Sequence, residues 1–492
     1  MSSQSQIHNP VFNMHRKYLK CRRTKIVATI GPASNSSTII RKLVRKGLNV
    51  ARINFSHGIP EEHEKLIRKI RDIAESEKKS VAILADLSGP KVRVGRFENG
   101  RVLLQEKKEV IITTKNVFGT DSLIPSQYKG IVKEANAGER VFLDDGNLEL
   151  KITGKKEGNL VAKVIRGGFL SDKKGMNLPD TTMKISALTP KDKRDIEYCI
   201  RAEVDYVALS FVRSESDIKK LKNFLKKRNS SIPVIAKIEK PQAVENIADI
   251  ISVSDGIMIA RGDLGVELPP QKIPLFQNAL IGMANEYNKP VIVATQMLET
   301  MTENKRPTRA EVTDVSSAAL AGADAVMLSA ETAVGKYPLE AFSMMDTILR
   351  EAEAHQFFSL DGHFMKSGIK KNPNLQGIIG VATAQLSRDL KVRSVVILTR
   401  SGHTANMISS DRPAAPILAI TGDPAVRQRL NLLWGITPFL SDKNLSFEDY
   451  IIYAENMVLN KKLGKRGEYI ILLSGVGSEN QATNSIVIHQ IK

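Results

Sequence analysis

Along most of the chain, short apolar runs that end in polar residues alternate with longer stretches of helical spacing. The runs are Lys25–Gly31, Asn49–Ser56, Val81–Ser88, Tyr206–Val212, Pro233–Glu239, Gly256–Leu264, Pro290–Gln296 and Ala325–Glu331. Val, Ile and Ala dominate them, as expected of parallel strands covered on both faces. Amphipathic stretches such as Pro60–Glu77 and Ser214–Lys227 lie between. Eight β-then-α units predict an α/β fold built on a (β/α)8 barrel, spanning residues 21–90 and 187–356.

The alternation breaks once, over residues 91–186. Here the pattern has strand period, as in Arg101-Val-Leu-Leu, Glu109-Val-Ile-Ile and Leu148-Glu-Leu-Lys-Ile, with turn signals at Asp145-Gly146-Asn147 and Gly167-Gly168. This reads as a small inserted β-barrel domain on the third βα loop. Such loops surround the active face of a barrel, so the insert is placed to act as a lid. A helix follows Glu331 to about Ala354, then a looser stretch around Gly362–Asn374. Residues 357–492 read as a C-terminal α/β domain, with a helix at Ile378–Leu386 and strands at Ser394–Thr399, Ala415–Ile420 and Tyr469–Ser474.

Composition narrows the class. The 492 residues are 42% hydrophobic and 25% charged, ordinary for a globular chain. Two cysteines, Cys21 and Cys199, form no CxxC pair, which argues against a disulfide scaffold or a structural zinc site. With no apolar span of membrane length and no signal-peptide pattern, a cytoplasmic location is expected. The net charge is +19, and no Asp or Glu precedes Glu61. A basic tail, residues 1–20, opens the chain. Such a field attracts anions, or it is a solvated surface that keeps the protein soluble.

Polar residues at the C-terminal ends of barrel strands read as catalytic. Here they are Arg52, Asn54 and Ser56; Asp86 and Ser88; Ser210; Lys237 and Glu239; Arg261 and Asp263; Thr295 and Gln296; Ser329 and Glu331. Lys237 and Glu239, two apart in a strand, share a face. Two carboxylates, Glu239 and Asp263, suit Mg2+ with room for water and substrate oxygens. Arg52 and Lys237 bring positive charge to where phosphoryl charge would develop. The Gly262 and Asp263 amides are placed to begin a helical turn that holds an anion. Thr308 and Glu311 form a capping-box pattern whatever else they do.

Thr24-Lys-Ile-Val-Ala-Thr-Ile-Gly-Pro-Ala-Ser34, Val50-Ala-Arg-Ile-Asn-Phe-Ser-His-Gly58, Ala236-Lys-Ile-Glu239, Ile259-Ala-Arg-Gly-Asp-Leu-Gly-Val-Glu267, Ala294-Thr-Gln-Met-Leu-Glu299, Pro307-Thr-Arg-Ala-Glu311 and Met327-Leu-Ser-Ala-Glu-Thr332 together resemble the pyruvate kinase family, in its order and spacing. The resemblance implies phosphoryl transfer between phosphoenolpyruvate and ADP, the last step of glycolysis. It implies Mg2+ or Mn2+ on Glu239 and Asp263, with the phosphoryl group held by Arg52 and Lys237. It places the substrate carboxylate on the Gly262 and Asp263 amides with Thr295, and a proton route at Thr295 and Ser329. His57, Arg93 and Lys174 match positions near the nucleotide. A homotetramer is the family's usual state, and neither nucleic acid nor a membrane is an expected partner.

Many members of that family require K+ and end the third strand Asp-Thr-Lys-Gly-Pro-Glu. This chain has Asp86-Leu-Ser-Gly-Pro-Lys91. Asn54, Ser56, Asp86 and Leu87 retain the outline of the monovalent-cation site, but Lys91 stands where the Glu would be. The resemblance is to the K+-independent branch, with Lys91 supplying the charge or, alternatively, pointing to solvent at the lid hinge. Thr399, Arg400, Ser401, Gly402, His403 and Thr404 resemble the family's effector loop. The later loop Ser474-Gly-Val-Gly-Ser-Glu-Asn480 carries no Lys or Arg, so a sugar or nucleoside monophosphate is expected as activator rather than fructose 1,6-bisphosphate. Two other readings remain open at this point. One is a metal-dependent aldolase barrel that needs no ADP. The other is a phosphate-sensing or nucleic-acid-binding protein using the basic N-terminus.

Overall fold

The protein is seen in a computed structural model that describes residues 22–358, 375–441, 446–475 and 483–492. The tail 1–20, Cys21, the stretch Gly362–Asn374 and most of the segment 474–480 therefore lie outside the described residues. Eight parallel strands close into a barrel: Lys25–Thr29, Val50–Asn54, Ala82–Asp86, Tyr206–Leu209, Val234–Ile238, Gly256–Ala260, Val291–Ala294 and Ala325–Leu328, each paired with its sequence neighbours and the last with the first. Helices follow as the spacing predicts, with Pro60–Ser76 and Glu215–Lys226 each within a residue or two of expectation. The sixth run was read too long. Its strand stops at Ala260, and Arg261–Glu267 is already helix, because buried Leu264 packs as well on a helix as on a strand.

Side chains alternate across each strand, and every second one enters the barrel. Val27, Val50, Ala82, Leu84, Tyr206, Ala208, Ile235, Met258, Ile292, Ala294, Ala325 and Met327 fill the interior. One member of that cluster comes from far away in sequence: Leu432 of the C-terminal domain plugs the barrel floor. Tyr206 donates its hydroxyl to the Arg429 carbonyl beside the plug, at 2.9 Å.

Between the third and fourth barrel strands, the chain forms a six-stranded sheet ordered Met176–Asn177, Arg140–Leu143, Leu148–Lys156, Asn159–Arg166, Glu109–Thr113, Leu123–Pro125, and a two-stranded ribbon pairing Gly168–Ser171 with Arg101–Leu104. It has its own core around Phe97, Ile112, Leu150 and Leu160. The turn at 144–146 is real, with left-handed backbone at Asp144, Asp145 and Gly146. Gly168, expected in a turn, instead begins a strand.

The C-terminal sheet has five strands in the order Ile436–Leu440, Ile417–Thr421, Val395–Leu398, Tyr469–Ser474, Ser485–Gln490, with only the last antiparallel. The helix expected at Ile378–Leu386 spans Leu375–Asp389. Much of the N-terminal basicity is spent internally. Arg22 pairs with Asp346, Arg52 with Asp86, and both Arg41 and Arg45 with Glu77. Lys25 donates to the Ile436 carbonyl at 2.5 Å and Arg23 to that of Ala414 at 2.6 Å, stitching the first barrel strand to the C-terminal domain.

Candidate active site

The period of two that fills the barrel also builds the site. One step beyond the interior residues Val27, Val50, Leu84, Ala208, Ile235 and Met327, the inward positions become Thr29, Arg52, Asp86, Ser210, Lys237 and Ser329. Apolar layers thus give way to a polar layer at the C-terminal rim, where strand register brings Asn54 beside Asp86 and Lys237 beside Met258.

Asp86 is the hub of that layer. Its carboxylate, 1% exposed, accepts from Arg52 at 2.7–2.8 Å and lies 3.1 Å from the Lys237 ammonium. Arg52 also donates to Thr29 Oγ1 at 2.8 Å. Lys237 reaches Glu239 Oε1 at 2.8 Å and Ser210 Oγ at 2.7 Å, and Ser210 in turn donates to the Leu87 carbonyl at 2.7 Å. Burial alone would lower the Lys237 pKa, but Asp86 and Glu239 outweigh it and hold the ammonium well above its usual range. Burial would likewise raise Asp86, but Lys237 and Arg52 keep it below the ordinary carboxylate value. Glu239 goes the other way: burial, with Asp263 close by, raises it against the pull of Lys237.

Glu239 also accepts the Phe211 N–H at 2.7 Å. Phe211 has φ +56°, and Thr295 and Gln296 have +67° and +54°. Left-handed backbone is costly for bulky or β-branched residues and gathers where surrounding structure imposes it. At Thr295 the imposing group is Arg261. Its guanidinium pairs with Asp314 at 2.5 Å and donates to the Thr295 and Gln296 carbonyls at 2.8 and 3.1 Å. Arg261 thus holds a loop in shape and does not face a substrate. The Gly262 N–H opens the helix Arg261–Glu267 and donates to Thr295 Oγ1 at 2.7 Å; a Cβ on Gly262 would stand 3.3 Å from that oxygen. Ser329 Oγ is buried and without a hydrogen-bond partner among the described residues, and the Ser329 N–H donates to Glu331 at 2.6 Å. Glu331 also accepts from the Leu298 N–H at 3.0 Å, so it ties the seventh loop to the eighth.

Other expected residues sit farther out. His57 is exposed, and its carbonyl contacts His63 Nε2 at 2.8 Å. Arg93 donates to the Lys173 carbonyl at 2.8 Å, and Lys174 pairs with Asp144 at 2.7 Å, which raises its pKa. Both belong to the sheet domain, not to the barrel rim. Asn54 Oδ1 accepts the Ser56 N–H at 3.1 Å. Lys91 is exposed and lines the cleft with Asp263, Phe211, Arg213 and Lys240. In the C-terminal domain, Thr399–Thr404 does join a strand to a helix, His403–Ser410: the Gly402 N–H donates to Thr399 Oγ1 at 3.0 Å, and Gly402 has φ +82°.

Sequence reasoning missed Thr29, Phe211 and the double role of Asp86. Thr29 was within reach of the period-two rule, two residues after inward Val27. Phe211 contributes a backbone amide, which no side-chain pattern announces.

Glu239 and Asp263 fit a divalent ion. Burial and the neighbouring Asp263 penalise the charge on Glu239, and a bound cation would offset both effects. Among the described residues no three His, Cys, Asp or Glu side chains gather into a full cage, so water and substrate oxygens must complete the shell, as Mg2+ tolerates. A closed (β/α)8 barrel that gathers Arg52, Lys237, Asp86 and Glu239 at its C-terminal rim, with Asp263 beside Glu239, has the architecture of an enzyme that acts on an anionic substrate. Residues 21–342 match the model of the pyruvate kinase barrel domain and residues 378–489 that of the pyruvate kinase alpha/beta domain. The chain belongs to the pyruvate kinase family. A pyruvate kinase of Thermococcus litoralis is 41% identical over 478 residues, 96% of this chain and 99% of that relative. One of Sporosarcina psychrophila is 41% identical over 477 residues, 96% of this chain and 80% of its own. The solved pyruvate kinase of Cryptosporidium parvum superposes with a TM-score of 0.91 at 34% identity, covering 96% of both chains.

Proposed function

We propose that this chain transfers the phosphoryl group of phosphoenolpyruvate to ADP, giving pyruvate and ATP, with the roles divided among the residues above. The observation that carries the reading is the buried ammonium of Lys237, held between Asp86 and Glu239 where a phosphoryl group bridging to the metal carboxylates would lie. A β-phosphate oxygen of ADP attacks phosphorus, the bond from phosphorus to the enol oxygen breaks, and the electron pair stays on the enolate. Lys237 and Arg52 stabilise the charge that shifts during transfer. Glu239 and Asp263 would hold Mg2+ or Mn2+, which when bound would supply Lewis-acid charge to the transfer. The Gly262 amide is engaged by Thr295 in this structure, so the substrate carboxylate exchanges with that hydroxyl and takes the Asp263 amide as well. A proton then reaches the enolate carbon from the Thr295 and Ser329 side, where Ser329 Oγ is free to carry a water. Ketone formation draws the reaction forward.

The sheet domain closes as a lid that brings Arg93 and Lys174, with His57 from the barrel, to the nucleotide. Turnover is K+-independent. Asp86 is already neutralised by two cations, and Asn54 Oδ1 and the Leu87 carbonyl already accept hydrogen bonds, which leaves a poor cage for K+. Lys91, whose ammonium has no ion-pair or hydrogen-bond partner among the described residues, stands at the cleft to supply the charge. The loop 399–404 binds a phosphorylated activator, a sugar or nucleoside monophosphate. The working form is a cytoplasmic homotetramer. The test of the reaction is pyruvate release from phosphoenolpyruvate and Mg2+ with and without ADP. Release should require ADP; release at a similar rate without it would point to a lyase or hydrolytic barrel.

A further inference from the structure

The sheet domain touches the barrel through a small polar cluster beside the metal carboxylates, with Asn177 and Lys240 at the wall of the cleft. Asn177, on the last strand of the sheet domain, donates its Nδ2 to Glu267 Oε1 at 2.9 Å. Glu267 is 2% exposed and pairs with the ammonium of Lys240, itself 4% exposed. Lys240 is the residue after Glu239, and Glu267 ends the short helix whose first turn carries Gly262 and Asp263. One carboxylate therefore links three things: the sheet domain, the chain leaving Glu239 and the helix bearing Asp263. Around it, the 144–146 turn approaches Val266, where a Cβ on Gly146 would stand 3.4 Å from Val266 Cγ1, and Gln242 Nε2 donates to the Pro179 carbonyl of the hinge at 3.3 Å. Glu267 Oε2 is buried with no hydrogen-bond partner among the described residues. A half-satisfied buried carboxylate is costly and is retained only where the surroundings hold it in place.

We propose that Asn177, Glu267 and Lys240 form a latch that couples the position of the sheet domain to the geometry of Glu239 and Asp263. They are positioning residues: none reaches a reacting atom, and they act by holding the two elements that present the metal carboxylates. When Asn177 engages Glu267, the Lys240–Glu267 pair sets the separation of the fifth and sixth strand ends. When the sheet domain swings away, Glu267 loses a donor and the pair is free to shift. Groups that orient metal ligands from behind typically matter 10- to 100-fold for metal affinity, which is about the size of effect expected here.

This inference rests on Glu239 and Asp263 being the metal ligands, so the experiment tests that separately. Mn2+ affinity is measured by electron paramagnetic resonance on the full chain without substrates, and hydrogen exchange is followed in segments 91–93 and 178–186. Glu239→Gln should abolish Mn2+ binding; if it does not, the ligand assignment fails, whatever the latch does. Asn177→Ala, which removes one amide from a half-exposed strand end, should weaken Mn2+ about tenfold and speed exchange in both hinge segments. It should also raise the KM for ADP more than it lowers kcat. The double variant Lys240→Met with Glu267→Leu replaces the buried pair with apolar groups of similar size and so guards against simple misfolding. It should show the same loss of Mn2+ affinity while its melting temperature stays near wild type. Unchanged Mn2+ affinity in Asn177→Ala, with or without faster hinge exchange, would overturn the coupling.

Discussion

Asp86 shows how a residue can be legible in type while its partners are not. Its place at a strand end marked it as functional, and the family pattern assigned it to a monovalent-cation cage. In the folded barrel it is the shared counter-ion of Arg52 and Lys237. That arrangement depends on three strands converging, which no local pattern encodes. Asp86→Asn should therefore cut turnover on the order of 10²-fold by releasing both cations, with little change in Mn2+ binding. Steady-state kinetics beside Mn2+ titration checks this. Lys91 is the complementary case: its substitution was plain in the sequence, but its consequence depends on what surrounds it. Wild-type turnover should be complete with Mg2+ in a buffer whose only monovalent cation is bulky and organic. Lys91→Glu should then become strongly K+-stimulated, since the change of two charge units favours a bound cation. Stimulation of the wild type by K+ at constant ionic strength would refute the assignment.

At the level of elements, the barrel strands were readable because both faces of each are buried, whereas the C-terminal strands Ile436–Leu440 and Ser485–Gln490 were not read. The run at Gly256–Leu264 was read too long, since the strand turns into helix at Arg261, where the apolar run ends. The left-handed backbone at Phe211, Thr295 and Gln296 was also invisible, since nothing in Ala-Thr-Gln-Met forbids an extended chain. Gly262→Ala tests the contact that follows from it. The new methyl would meet Thr295 Oγ1 at 3.3 Å and crowd the amides proposed to hold the substrate carboxylate, so KM for phosphoenolpyruvate should rise while the fold and Mn2+ affinity persist. A second element-level prediction concerns the first two helices, Ser37–Arg45 and Pro60–Ser76. Hydrogen bonds from Arg45 and Arg41 depress Glu77 from 4.5 to about 2. A depressed carboxylate stabilises the fold above its unfolded pKa and loses that contribution as pH falls through the folded value. Glu77→Gln should thus melt slightly below wild type at neutral pH, and the gap should close between about pH 4.5 and pH 2.

At the scale of the whole molecule, the C-terminal domain supplies Leu432 to the barrel floor and so ties the two domains together. No sequence pattern could have joined position 432 to Val27 or Met258. Truncation by Leu432→Ala should cost about 2–5 kcal/mol, the usual range for a buried leucine. Barrel and C-terminal domain should then melt together at a lower temperature. The proposed effector loop, 399–404, belongs to the same scale: Ser401→Asp should abolish activation by phosphorylated metabolites while leaving basal turnover intact, and activation that survives would place the site elsewhere. The central claim, that Lys237 at the heart of the barrel rim drives phosphoryl transfer to ADP, is tested most directly by Lys237→Met in a single-turnover measurement of transfer from phosphoenolpyruvate, alongside phosphoenolpyruvate binding in the presence of Mn2+. The account predicts that binding persists while transfer slows by about 10²–10³-fold or more. Transfer near the wild-type rate in that variant would contradict it.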